Sequence, residues 1–198
     1  MISSMVAAIA RFLGGVRVRW MGCQPDTRQR IYFANHSSHL DFVVLWAALP
    51  PQVRDAVRPV AGRDYWERGI VRRFFINLVR GVLVDREHIC LSKNPLECLT
   101  QNLALGRSLI IFPEGTRGSG AAIGPFKSGL YYLSMRRPDL ELMPVYLENL
   151  NCILPKGTIM PLPLAASVTF GPAMRLEKRE TRRAFLVRAR EALCDLRP

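Results

Sequence analysis

Two short, unbroken apolar runs constrain this chain most: Gly81 to Val84 and Leu109 to Phe112. Each is too short for a buried helix and lacks the alternation of a half-exposed strand, so each reads as a strand buried on both faces. Such strands belong to sheets covered by helices on both sides. Val16 to Met21, Arg30 to Asn35, Val57 to Ala61, Leu142 to Leu147 and Ala165 to Phe170 also have strand character. Between them lie helical patterns: Asp41 to Leu49, ended by Pro50-Pro51; a stripe of Trp66, Ile70, Val71, Phe74, Phe75 and Leu78 over residues 64–79; Leu96, Leu99 and Leu103, ending near Gly106; Phe126 to Arg137, stopped by Pro138; and Lys178 to Leu196, with Thr181 as its cap. The alternation predicts a layered α/β fold with a largely parallel or mixed sheet flanked by helices. With 198 residues, residues 1–198 are expected to form a single domain, its core at 16–172 and a C-terminal helix within 173–198.

Residues 1–15 have a different character. Ile2, Met5, Val6, Ile9, Phe12 and Leu13, with Val16, follow one helix face, whereas Ser3, Ser4, Ala7, Ala8 and Arg11 take the other. A secretory signal carries its positive charge ahead of the apolar stretch, but Arg11, Arg17 and Arg19 come late or after it, so this helix is expected to stay on the protein. It is too short to span a bilayer. The expectation is an amphipathic membrane-associating helix at the interface; packing of the same face on the protein's own core is the alternative.

The net charge of +12 predicts an anionic partner. The excess is spread over residues 1–30, 54–86 and 170–198 rather than gathered in a basic tail, which disfavours a dedicated nucleic-acid binder. The five cysteines form no C-x-x-C pair, so they read as reduced, small hydrophobic side chains in a cytosolic setting.

Polar chemistry concentrates in two places. In Asn35-His36-Ser37-Ser38-His39-Leu40-Asp41, a strand passes into a helix. A turn there can bring His36 and Asp41 together. If Asp41 accepts the Nδ1 proton, Nε2 is left as a general base. The plainer alternative is that these side chains only cap the helix. A metal site is not expected, because only His88 remains elsewhere to join His36 and His39. The second place is Phe112-Pro113-Glu114-Gly115-Thr116-Arg117-Gly118, where a buried strand breaks into a glycine-rich turn. Glycines let backbone N–H groups approach a phosphate and Arg117 can pair with one bidentately. Arg86 and Lys127 could complete a cationic pocket at the same sheet end; as ordinary solvated charges they would not.

These segments, in this order, resemble the glycerolipid acyltransferases, most closely the bacterial 1-acylglycerol-3-phosphate (lysophosphatidic acid) acyltransferases. Four blocks carry the resemblance: Asn35-His36 to Asp41, Gly81 to Asp85-Arg86, Phe112 to Arg117, and Met143-Pro144-Val145. The resemblance implies that His36 takes a proton from a glycerol hydroxyl, that Asp41 orients it, and that the hydroxyl attacks an acyl thioester without a covalent acyl-enzyme. It assigns the acceptor phosphate to Glu114, Gly115, Thr116 and Arg117 with Arg86 assisting, and puts Pro144 and Val145 on the acyl-donor side. It thus implies a transferase that acylates the sn-2 hydroxyl of lysophosphatidic acid from acyl-CoA or acyl carrier protein as co-substrate, with no further cofactor. The expected setting is peripheral, on the cytoplasmic face of the inner membrane, with lipid phosphate, donor and anionic membrane surface as partners. Gly118 stands where many relatives have Ser, and the N-terminus is shorter than in many relatives. The first departure leaves room for another acceptor, such as glycerol 3-phosphate, another lysophospholipid or a lyso-aminolipid; the second leaves residues 2–16 to serve in place of a membrane anchor. A non-catalytic basic protein binding membranes or nucleic acid is the alternative outside the family.

Overall fold

The computed structural model describes residues 16–38, 41–85, 94–118, 120, 122–149 and 166–198. The helix expected over residues 1–15 lies outside them, as do His39 and Arg86. Among the described residues, seven strands form one sheet: β1 (Arg17–Trp20), β2 (Arg30–Ala34), β3 (Val57–Gly62), β4 (Val82–Val84), β5 (Ser108–Ile111), β6 (Glu141–Glu148) and β7 (Ser167–Phe170). Their spatial order is β1-β7-β6-β2-β5-β3-β4. The pairs from β6 to β4 are parallel; β7 runs antiparallel to β6, and β1 pairs parallel with β7. The sheet is therefore mixed with a parallel centre.

The helices are α1 (Asp41–Ala48), α2 (Pro51–Arg54), α3 (Arg63–Trp66), α4 (Ile70–Leu78), α5 (Pro95–Ala104), α6 (Gly129–Arg136) and α7 (Arg182–Cys194). Alternate strand residues feed two cores. Tyr32, Ala34, Ile110, Met143 and Val145 meet α1 and the α4 residue Ile76, while Ile31, Phe33, Leu109, Ile111 and Leu142 meet α5, α6 and α7. This explains the unbroken apolar runs: both faces of the central strands are covered.

The connections create a crevice. From β2 the chain passes through α1 to β3, on the far side of β5, whereas from β5 it passes through α6 to β6, on the far side of β2. Crossovers of one hand that run in opposite directions land on opposite faces, and α1 and α6 do pack in different cores. The carboxyl ends of neighbouring β2 and β5 thus part, and this is where open α/β sheets hold ligands. Both polar segments begin there.

Three helices differ from expectation. The stripe expected over 64–79 breaks at Gly69, whose φ of 95° no L-residue adopts comfortably. Buried Ile76 and Val79 then anchor α4, while Ile70 and Phe74 face solvent. The helix expected from Phe126 starts at Gly129, because Phe126 is a core side chain packed edge-on against Phe33. The C-terminal helix starts at Arg182, capped by Thr181 as expected: its hydroxyl accepts the N–H of Ala184 at 3.3 Å.

Candidate functional site

The end of β2 is tied down before it reaches His36. The Asn35 amide donates to the carbonyl of Leu147 and accepts from its N–H, both at 2.8 Å, so the side chain continues the ladder to β6. Asp41 opens α1 and is fully buried. Its Oδ2 accepts the N–H groups of Ser37 at 2.6 Å and Ser38 at 2.9 Å and meets His36 Nδ1 at 2.8 Å. Two backbone bonds to an anion fix the carboxylate; Nδ1 therefore acts as donor and carries the proton in the neutral ring. The imidazole stacks on Phe112, centroids 4.3 Å apart. It is 18% exposed, and no described group bonds Nε2.

Capping alone does not account for this arrangement. The Ser37 and Ser38 N–H groups that Asp41 accepts precede α1, so the carboxylate braces the turn rather than the first-turn N–H groups a cap would bind, and it binds the ring with the same oxygen.

Glu114 leaves the end of β5 and turns back. One carboxylate oxygen accepts the His36 N–H at 2.9 Å and the other the Gly124 N–H at 2.8 Å, with the side chain 92% covered. Glu114 is expected at a phosphate; both its oxygens are engaged by amides, and the side chain clamps three segments together. The glycine N–H groups expected there are engaged as well. The N–H of Gly115 donates to Phe112 O at 3.0 Å and closes the turn, while that of Gly118 donates to His36 O at 2.8 Å and ties the turn to the end of β2. Gly115 is required for its φ of 74° and because a Cβ there would sit 2.8 Å from the stem of Lys127. Of the residues expected at a phosphate, Thr116, Arg117 and Lys127 are exposed at or beside this turn, with Lys127 laid across Gly115.

Two hollows meet at His36. The larger, about 210 Å³, is walled by Phe42, Val60, Tyr65, Trp66 and Phe112 and floored by Gly115, Thr116 and Arg117. The Arg117 guanidinium lies 5.9 Å from the Tyr65 ring, which Arg72 approaches at 4.0 Å. The smaller, about 150 Å³, is bounded by Asn35, Ser37, Tyr146, Arg190, Cys194 and Arg197. Arg190 is held there by two bonds to Ile123 O, at 3.0 and 2.7 Å. Burial raises the Tyr146 hydroxyl above its usual range, so that wall carries a neutral phenol beside two guanidiniums.

Pro144 and Val145 line neither hollow. Both are buried in the centre of the sheet, Val145 in the α1 core. Tyr146, on the same strand face as Pro144 and opposite Val145, is the β6 residue that lines the smaller hollow. Sequence reasoning also missed the clamps of Asn35 and Glu114 and the aromatic wall. Among the described residues, no cluster of three His, Cys, Asp or Glu could hold a metal.

Fold and site together define an α/β protein that presents an oriented imidazole–carboxylate pair beside a basic turn, between two hollows. The sequence profile of the acyltransferase family matches residues 16–148, and the chain belongs to that family. It is 26% identical to a 1-acyl-sn-glycerol-3-phosphate acyltransferase of Limnanthes alba, over 87% of this chain and 60% of the relative. It is 27% identical to a protein of the same name from Salmonella typhimurium, over 60% of this chain and 46% of the relative. The chain thus spans about three fifths of the length of the Limnanthes protein. The crystal structure of a 1-acyl-sn-glycerophosphate acyltransferase, PlsC, from Thermotoga maritima shares the fold, with a TM-score of 0.77 over 98% of this chain and 77% of that one at 17% identity.

Proposed function

We propose that this protein transfers a fatty acyl group from an acyl thioester to the sn-2 hydroxyl of lysophosphatidic acid, with His36 as general base. The observation that carries the proposal is the 2.8 Å contact of His36 Nδ1 with fully buried Asp41, at the crevice where the two hollows meet. Relatives named for acylation of 1-acyl-sn-glycerol 3-phosphate support the acceptor.

The lysolipid occupies the larger hollow, with its phosphate against Arg117, Thr116 and Lys127 and its glycerol hydroxyl at Nε2. The thioester of acyl-CoA or acyl carrier protein enters by the smaller hollow, under Tyr146, Arg190 and Arg197; Pro144 and Val145 serve it as the rigid strand behind Tyr146. The hydroxyl oxygen bonds the thioester carbon as its proton passes to Nε2, and Asp41 stabilises the imidazolium. The tetrahedral oxyanion collapses, the C–S bond breaks, and the thiolate takes the proton back. Atoms and protons balance between the two substrates and His36. A positioned base of this kind is worth about 10² to 10⁴ in rate.

The acceptor is a membrane lipid, so the protein works at the cytoplasmic membrane surface. Among the described residues, no helix is long and apolar enough to cross a bilayer. Mass spectrometry of the products from lysophosphatidic acid, glycerol 3-phosphate and a lyso-aminolipid, each with acyl-CoA or acyl carrier protein, tests the proposal. Phosphatidic acid is expected; acylation of a different acceptor only would overturn the substrate, and no transfer at all would overturn the function.

A further inference from the structure

Helix α4 carries an outward stripe that no other described element covers. Ile70, Arg73, Phe74 and Asn77 recur at three- and four-residue spacing and all are exposed, Ile70 by 89% and Phe74 by 55%. The opposite face is held to the protein: Ile76 and Val79 are buried, and Arg72 reaches back to the Tyr65 ring. Two large apolar side chains one turn apart on an otherwise anchored helix form a patch rather than scattered exposure. The surrounding charge is basic. From Tyr65 to Val84 there are four arginines and one acidic residue, Glu67, which pairs with Arg63 at 2.9 Å. Arg68 and Arg73 are exposed and, among the described residues, not ion-paired.

We infer that the α4 stripe docks on an anionic lipid surface, with Ile70 and Phe74 in the acyl boundary and Arg68 and Arg73 at the headgroup phosphates. Apolar anchors flanked by arginine on a short amphipathic helix meet the physical requirements for interfacial binding. The location gives the contact its use. Three residues separate α4 from α3, whose Tyr65 and Trp66 wall the larger hollow, so docking sets the acceptor's entrance against the lipid. This use rests on the lipid-acceptor reading above; the binding does not.

The test is co-sedimentation of the full chain with vesicles of phosphatidylcholine alone or mixed with phosphatidylglycerol, comparing wild type with Ile70→Ser/Phe74→Ser, Arg68→Gln/Arg73→Gln and, as a control, Met135→Ser on α6. Met135 is likewise exposed, so none of these changes opens a cavity, and circular dichroism checks the fold. Each α4 pair is expected to weaken partition to the anionic vesicles about tenfold or more, with Met135→Ser unchanged. Turnover of a short-chain, water-soluble lysophosphatidic acid should match wild type in all variants. Undiminished vesicle binding by the α4 variants would overturn the inference. So would a gel-filtration dimer that Phe74→Ser dissociates while vesicle binding persists, since a second copy would then be the occupant. If no acceptor is turned over but vesicle binding is lost as expected, the catalytic proposal fails and this one stands.

Discussion

Replacing Glu114 with Gln separates a clamp from a ligand contact. The carboxylate accepts two backbone N–H groups, from His36 at 2.9 Å and Gly124 at 2.8 Å. Hydrogen bonds to an ionised acceptor contribute about 1.5–3 kcal/mol each, neutral ones about 0.5–1.5. A glutamine keeps one acceptor oxygen and turns its NH₂ toward the other N–H, so one bond weakens and one is lost. The difference is about 2–4 kcal/mol after some recovery by water, since Gly124 is only partly buried. In a chain of this length about 1 kcal/mol lowers the melting midpoint by roughly 2–4 °C. Glu114→Gln is therefore expected to melt roughly 5–15 °C lower by circular dichroism. Because either orientation of the glutamine weakens or frees the His36 N–H, kcat should fall while KM for the lysolipid stays within about threefold, less than one charged hydrogen bond would change it. An unchanged midpoint with a raised KM would refute the clamp and restore Glu114 to the acceptor's phosphate site.

Three further outcomes follow from the geometry. Asp41→Asn keeps an oxygen for Ser37, Ser38 and the Nδ1 proton, which all share Oδ2, but removes the negative charge that stabilises the imidazolium, so kcat should drop by about 10² to 10⁴; a kcat within threefold of wild type would show that Asp41 only braces the turn before α1. Arg117→Ala should raise KM for lysophosphatidic acid about tenfold or more, whereas an equal loss with a phosphate-free lyso-aminolipid would place Arg117 outside phosphate recognition. On α7, hydrogen bonds from Arg188 hold the Glu180 carboxyl below the usual carboxylate range. A depressed native pKa gives stability that is present above the unfolded value, near 4.3, and is lost as the pH falls through the native one. Urea midpoints of wild type should therefore fall more steeply than those of Arg188→Gln below about pH 4; parallel curves would contradict the linkage.

What could be read from the sequence was local. The strands were legible because double burial writes unbroken apolar runs, and His36 with Asp41 was legible because five residues of turn and first helical turn bring them together. Contacts between distant segments were not. Glu114 meets His36 across 78 residues and Asn35 meets Leu147 across 112, and a glutamate in a glycine-rich turn carries no local sign that its oxygens go to backbone amides. Helical spacing placed Ile70 and Phe74 on a common stripe but could not say which side of α4 the sheet would cover; Ile76 and Val79 decided that. Likewise, Pro144 and Val145 stood out only through the family resemblance, and nothing local in the strand marked Tyr146 as the β6 residue that lines the smaller hollow.

The central claim is that the imidazole held by Asp41 is the base for acyl transfer to a lysolipid. The most direct measurement is product mass spectrometry with lysophosphatidic acid and acyl-CoA or acyl carrier protein, run on wild type and on His36→Ala at matched concentration after their melting midpoints have been compared. Phosphatidic acid from wild type, with a rate lower by at least about 10² in a variant that melts within a few degrees of it, is the predicted result. Phosphatidic acid formed at the wild-type rate by folded His36→Ala would contradict it.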